Sequence, residues 1–179
     1  MSASSREHKS QAPSSLGFAL IMCSTSRFNA AQTGTPTRDP SGDLIAATLK
    51  DAGHTLVSRV LIPDNEQAIR KALTQALENN NVDAVIVCGG TGITPTDITI
   101  ETVTPMLQKT LPGFGEVFRR LSYETIGSAA ILSRAVAGTV TSGKAVFCVP
   151  GSIDAVKLCL DRLILPEAGH IVKHAREGS

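Results

Sequence analysis

The sequence predicts an α/β fold in which a mainly parallel β-sheet carries helices on both faces. Three observations predict it. Short apolar runs at residues 16–23, 56–62, 82–88 and 145–149 alternate with stretches of helical periodicity. The runs at 16–23 and 82–88 are apolar almost without interruption, as strands covered on both sides are. Three of the runs end in polar or glycine-bearing turns: Ser24-Thr25-Ser26, Gly89-Gly90-Thr91-Gly92 and Pro150-Gly151-Ser152. In a parallel sheet such turns gather on one rim, beyond the carboxyl ends of the strands, where ligands bind.

The elements follow in order. Residues 1–15 are polar and Ser-rich, without periodicity, and are expected to form a flexible tail ahead of one α/β domain over 16–179. The first strand covers 16–23, and a long polar loop is expected from Ser24 to Pro40. Asp39-Pro40-Ser41-Gly42 starts a helix that presents Leu44, Ile45, Thr48, Leu49 and Ala52 and stops at Gly53. A strand over 56–62 leads through Pro63-Asp64-Asn65 into a helix with Ile69, Ala72, Leu73, Ala76 and Leu77 on one face. The strand over 82–88 ends at the glycine-rich turn. A helix begins beyond Asp97 and breaks at Thr104-Pro105, since proline suits a first helical position. Leu111-Pro112-Gly113 reads as a loop and 114–125 as a helix, with Phe118, Leu121 and Ile126 as core candidates. The pattern over 129–137 fits helix or strand equally. A turn at 139–144 joins short strands, the run 145–149 is a buried strand, and Pro150-Gly151-Ser152 opens the final helices.

Composition narrows the function. The chain has 179 residues, 42% hydrophobic, with Lys+Arg 17 against Asp+Glu 16 and a net charge of +1. That is too apolar and too balanced for a disordered chain, and it lacks the basic field of a duplex-binding protein. With Trp 0, Tyr 1 and Phe 5, single-stranded nucleic acid has few rings to stack on. No nucleic-acid partner is expected. No signal segment or membrane partner is expected either, because the apolar runs are too short to cross a bilayer. Cys23, Cys88, Cys148 and Cys159 form no CxxC pair and read as small buried thiols of a reducing, cytoplasmic protein.

The glycine turn carries the sharpest chemical signal. Residues without Cβ let backbone amides approach an anion, and a following helix adds positive dipole. It is neither a Walker A loop nor a dinucleotide fingerprint, and a tight strand-to-helix bend needs glycines too. Asp97 and Asp64 each sit at a strand end, where a carboxylate either caps the next helix or holds Mg²⁺ against phosphates. Ser152 could cap its helix or aim amides at an anion. Ser133 and Arg134 offer a hydroxyl and a fork of donors, and Glu116 is a first-turn acid or a partner for polar ring nitrogens. His170 and His174 have metal-ligand spacing without an evident third ligand, so a solvated helix end is expected there.

Taken together these blocks resemble the molybdopterin adenylyltransferase family of molybdenum-cofactor biosynthesis (MoaB/Mog). The likeness runs from Leu16 onward. It includes Ser24-Thr25-Ser26-Arg27, Asp39-Pro40-Ser41-Gly42, Ile62-Pro63-Asp64, Gly89-Gly90-Thr91-Gly92-Ile93-Thr94-Pro95-Thr96-Asp97, Leu111-Pro112-Gly113-Phe114-Gly115-Glu116, Ser133-Arg134-Ala135-Val136-Ala137-Gly138 and Val149-Pro150-Gly151-Ser152. Thr96 stands where family members often carry Arg, and the Ser-Thr-Ser and Pro-Gly-Ser turns match the MoaB branch.

The resemblance implies a three-layer α/β/α domain assembled as homotrimers or homohexamers. It implies Mg²⁺-dependent transfer of AMP from ATP to molybdopterin, with release of pyrophosphate. Asp64 and Asp97 match the essential, metal-holding carboxylates. Gly89, Gly90, Thr91 and Gly92 match the phosphate turn, and Ser24, Glu116, Ser133, Arg134, Pro150, Gly151 and Ser152 match pterin and nucleotide contacts. A protein that binds molybdopterin without adenylating it is the competing expectation, and an oligomeric scaffold with merely tight bends is the third.

Overall fold

Strand β1 (Gly17–Cys23) pairs in parallel with β2 (Thr55–Ile62) on one side and with β3 (Ala84–Cys88) on the other. β3 pairs in parallel with β6 (Ala145–Val149). Beyond β6 the sheet turns antiparallel through β5 (Val136–Thr139) and the two-residue β4 (Lys109–Thr110). The order is β2-β1-β3-β6-β5-β4, a mixed and mostly parallel sheet. The chain leaves β1 toward one edge and β3 toward the other, so a crevice opens between their carboxyl ends. These are features of a computed structural model that describes residues 12–177.

Alternation along the strands divides the core into two layers. Phe18, Leu20 and Met22 of β1, Ile86 of β3 and Phe147 of β6 face one side. They pack on Ile45 and Leu49 of α2 (Pro40–Asp51), Phe118 of α5 (Pro112–Ile126) and Val156 of α6 (Ile153–Cys159). Val172 of α7 (Leu165–Arg176) joins the same layer. Ala19, Ile21, Val85, Val87 and Cys148 face the other side, onto Ile69 and Leu73 of α3 (Glu66–Glu78) and Val103 of α4 (Thr99–Val103). Helices on both faces explain why β1, β3 and β6 are buried at every residue.

Several local readings are corrected. Part of the expected loop after Ser24 is the helix α1 (Thr25–Gln32), which buries no residue. It is held by Ser24, whose carbonyl accepts from Phe28 N at 2.9 Å, and by contacts at its rim rather than by an apolar stripe. Leu111-Pro112-Gly113 is not a loop: Pro112 is already the first residue of α5. Ile126 is 52% exposed at the end of that helix and is not core. The ambiguous segment splits into a 3₁₀ helix (Gly127–Leu132) followed by β5. Of the expected tail, residues 1–11 lie outside the described residues, whereas Ser15 is tied down, its hydroxyl donating to the Gly53 carbonyl at 2.8 Å.

His54 gives the fold a pH dependence. It packs on Phe18 with ring centroids 5.2 Å apart, and its Nδ1 accepts the Leu16 amide at 3.2 Å. Burial holds its pKa below the usual histidine value. A histidine that stays neutral in the fold takes up its proton first in the unfolded chain, so its share of stability is present above the ordinary histidine range and is lost as pH falls through it. Urea unfolding at pH 7.5 and 5.5 is expected to show a larger acid loss for the wild type than for His54→Phe. An equal loss in both would contradict this role.

Candidate functional site

The carboxyl ends of β1, β3 and β6 meet at one place. Gly89 N donates to the Val149 carbonyl at 3.0 Å, and a Cβ on Gly89 would collide with the Cys23 carbonyl oxygen. Its φ of +103° is open only to glycine at little cost. The three strand ends are therefore stitched together at a residue that no side chain could replace. A cleft of about 360 Å³ opens above it. Its walls come from Cys23, Ser24 and Arg27, from the turn 89–92 with Asp97, from Leu132, Ser133 and Arg134, and from Pro150 and Gly151.

The glycine turn is pinned from below. Thr99 N donates to the Gly90 carbonyl and Thr99 Oγ1 to the Gly89 carbonyl, both at 2.9 Å. With both carbonyls occupied, the amides of Gly90 and Thr91 have no protein acceptor among the described residues. Arg134 clamps the other end of the turn. Its Nε donates to the Thr91 carbonyl at 2.9 Å and its terminal nitrogens to the carbonyls of Gly92 and Asp97 at 2.6 and 3.4 Å. The same fork pairs with Glu101 at 2.5 Å. Through these contacts Arg134 shapes the turn.

The two aspartates lie against this turn, and neither caps the helix that follows it in the chain. Asn65, not Asp64, caps α3, and α4 begins at Thr99 behind Ile98, which supplies no side-chain cap. Asp64 Oδ2 accepts Thr25 N at 2.8 Å and Thr25 Oγ1 at 2.9 Å, which places the carboxylate at the amino end of α1. Its Oδ1 lies 2.8 Å from where a Cβ of Gly90 would stand. Asp97 Oδ2 accepts Thr94 N at 3.0 Å and Thr94 Oγ1 at 2.6 Å, and lies 2.7 Å from the missing Cβ of Gly92. The Thr94 hydroxyl holds the Asp97 carboxyl below the usual carboxylate range, outweighing slight burial, with the Thr94 and Gly92 amides and Arg134 adding to it. Asp97 is therefore ionised at any pH near neutrality.

The other expected residues divide. Ser24 caps α1, accepting Arg27 N at 3.5 Å, and lines the cleft. Ser133 and Pro150 line the cleft and also a second groove of about 450 Å³ that runs along Phe118 and Ser122 of α5. Ser152 caps α6 and faces only that second groove. Glu116 is exposed on α5 and lines neither cavity.

Sequence reasoning missed the supporting residues. Thr25, Thr94 and Thr99 fix the two acids and the turn. Arg27 enters the cleft wall from α1 and pairs with Asp39, which also takes Arg59 at 2.6 Å and caps α2 through Gly42 N at 3.1 Å. Partial burial opposes ionisation of Asp39, but Arg59, the Gly42 amide and Arg27 hold it below its ordinary value. Ser41 steadies the third turn, donating to the Gly151 carbonyl at 2.7 Å. Arg27 could have been found only by reading Ser24 as a helix cap. Cys23 offers no nucleophile, since burial pushes its thiol up to about 12.

Fold and candidate site define an α/β protein with a crevice at the switch point of a parallel sheet, lined by backbone turns and Asp97, with Asp64 behind Gly90. The chain belongs to the family described as "Probable molybdopterin binding domain", which matches residues 19–170. It is 43% identical to molybdenum cofactor biosynthesis protein B of Bacillus subtilis over 96% of this chain and 97% of that one. It is 40% identical to a molybdopterin adenylyltransferase of Pyrococcus furiosus, over 96% of this chain and 98% of that one. A crystal structure of molybdenum cofactor biosynthesis protein B superposes with a TM-score of 0.82 at 42% identity, covering 92% of this chain and 98% of that one. Membership places the protein in molybdenum-cofactor biosynthesis. Among the described residues no helix is long and apolar enough to cross a membrane.

Proposed function

We propose that this protein is a Mg²⁺-dependent nucleotidyltransferase that moves AMP from ATP to the terminal phosphate of molybdopterin. An oxygen of that phosphate attacks the α-phosphorus of ATP, the α–β bridging bond breaks, and pyrophosphate leaves. The observation that carries this reading is the meeting of three strand-end turns at one crevice, with Asp97 on its wall and Asp64 beside the Gly90 of its floor. Two polyanions repel each other, so positioning and charge neutralisation are most of what such a reaction needs.

In this reading the unpartnered amides of Gly90 and Thr91 take phosphate oxygens, with Ser24, Ser133 and the 150–151 turn as neighbouring contacts. The groove along Phe118, which shares Ser133 and Pro150 with the cleft, suits the pterin rings. The donor set fits Mg²⁺. Asp64 and Asp97 supply hard carboxylate oxygens, each steadied through Oδ2 and each beside a glycine that leaves room. When bound, the ion would draw negative charge from the polyphosphate. Neither acid acts as a nucleophile. Asp64 and Asp97 orient what they hold, and Arg134 keeps the turn in shape.

Incubation with molybdopterin, ATP and Mg²⁺ tests the proposal. Pyrophosphate release that requires all three is expected. Tight pterin binding without pyrophosphate would leave a binding protein, and no binding of pterin or nucleotide would leave a scaffold.

The same reading covers assembly and location. Tyr123, Ile126, Ile131 and Leu132 are 63%, 52%, 81% and 55% exposed around the end of α5, apolar side chains that further copies would cover in a homotrimer or homohexamer. Light scattering at the mass of one chain would refute this. The free, buried thiols of Cys23, Cys88, Cys148 and Cys159 suit the reducing cytoplasm.

A further inference from the structure

Helix α7 carries His170 and His174 one turn apart, and their Nε2 atoms lie 2.8 Å from each other. The other nitrogen of each ring rests on a carboxylate. His174 Nδ1 is 2.7 Å from Glu177 Oε2, and His170 Nδ1 is 3.2 Å from Glu167 Oε2. An ionised carboxylate only accepts hydrogen bonds. Both Nδ1 atoms therefore carry a proton, and the two Nε2 atoms point at each other across 2.8 Å, a place that either one shared proton or one cation can fill.

We propose that His170 and His174 form a binding site for a divalent transition-metal cation of the Ni²⁺ or Cu²⁺ class. Neutral imidazole with its far N–H on a carboxylate is the arrangement that orients histidine toward a metal and raises its basicity. The spacing selects the class. At a metal–nitrogen distance of about 2.05 Å, ligands at right angles stand about 2.9 Å apart and tetrahedral ones about 3.3 Å. The observed 2.8 Å therefore matches neighbouring positions of an octahedral or tetragonal ion. Half-buried His170 and exposed His174 face an open cavity of about 650 Å³, with Gln108, Thr139 and Thr141 on its wall and room for water to complete the coordination. Lys109 and Glu177 bring opposite charges to that wall.

The site is separate from the proposed catalytic cleft. Thr139 pairs with Ala145 at the amino end of β6, whereas the cleft lies beyond Val149 at its carboxyl end.

Titration of the untagged full chain with Cu²⁺ or Ni²⁺, followed by calorimetry, tests this. One ion per chain is expected. His170→Gln and His174→Gln should each weaken binding at least about 100-fold, and Glu177→Gln by about 10- to 100-fold, the usual effect of losing a partner behind the ligand. Electron paramagnetic resonance of the Cu²⁺ form should show two imidazole nitrogens in wild type and fewer in either histidine variant. His8→Gln should change nothing. Binding that survives loss of both His170 and His174, or that disappears with His8, would overturn the proposal. So would absence of binding in a chain whose pair is shown by NMR to share a proton alone.

Discussion

Replacing Asp97 by Asn is expected to lower AMP transfer by roughly 10²- to 10³-fold, the scale seen when one electrostatic contact to a reacting group is removed, while the chain stays folded. The amide oxygen of Asn can still accept from Thr94 N and Thr94 Oγ1, which are 3.0 and 2.6 Å from the present carboxylate. The turn should therefore keep its shape, and only the charge is lost. Because Asp97 is held below the ordinary carboxylate range, its charge adds stability above that range, and this contribution fades as acid titrates the folded group. The variant should consequently be slightly less stable at neutral pH and lose less on acidification. Steady-state adenylation at several Mg²⁺ concentrations checks the catalytic part, with the loss concentrated in turnover and in Mg²⁺ dependence. Near-normal adenylation by a folded Asp97→Asn protein would refute the metal-holding role.

The second large effect is expected at Gly90. Its φ is +62°, and an added Cβ would stand 2.5 Å from Thr99 Oγ1 and 2.8 Å from Asp64 Oδ1. Alanine there costs about 1–2 kcal/mol for the left-handed backbone alone. Its greater effect should be local: the methyl group must push the Asp64 carboxylate or Thr99 aside, and both hold the site. Gly90→Ala is expected to lose at least about 100-fold in activity, as small misplacements of reacting groups do. Gly113→Ala is the control, because nothing lies within 4 Å of a Cβ on Gly113. Comparable activity in the two variants, measured alongside thermal unfolding, would show that the crowding at Gly90 does not matter to the site.

What the sequence revealed depended on which physical signal each part carried. Strands β1, β3 and β6 and helices α2 and α3 were legible because burial on one or both sides leaves a periodicity in residue type. α1 was not, because a helix that buries nothing leaves no such trace. β4 has only Lys109 and Thr110, both exposed, too short for any pattern. Ile126 looked like core by its place on the helix, but it is the last residue of α5 and stands 52% exposed. At the site, the glycine turn and both aspartates stood out by residue type and position. Their neighbours did not. Thr25 and Asp64 are 39 residues apart, and Arg134 is 43 residues from Thr91. Such contacts are made by the parallel sheet, which brings distant strand ends together, and no local rule announces them. Serine and threonine residues near these turns are frequent enough that composition could not single out Thr25, Thr94 or Thr99.

The proposed reaction requires that the turn 89–92 and the carboxylates of Asp64 and Asp97 grip a single polyphosphate. The most direct measurement is a crystal structure with Mn²⁺ and an ATP analogue that has a methylene between the α- and β-phosphates, the metal located by its anomalous signal. An anomalous peak is expected within coordination distance of both carboxylates, about 2.0–2.3 Å, with phosphate oxygens on the amides of Gly90 and Thr91. A nucleotide seated in another cavity, or a metal peak remote from both aspartates, would contradict it.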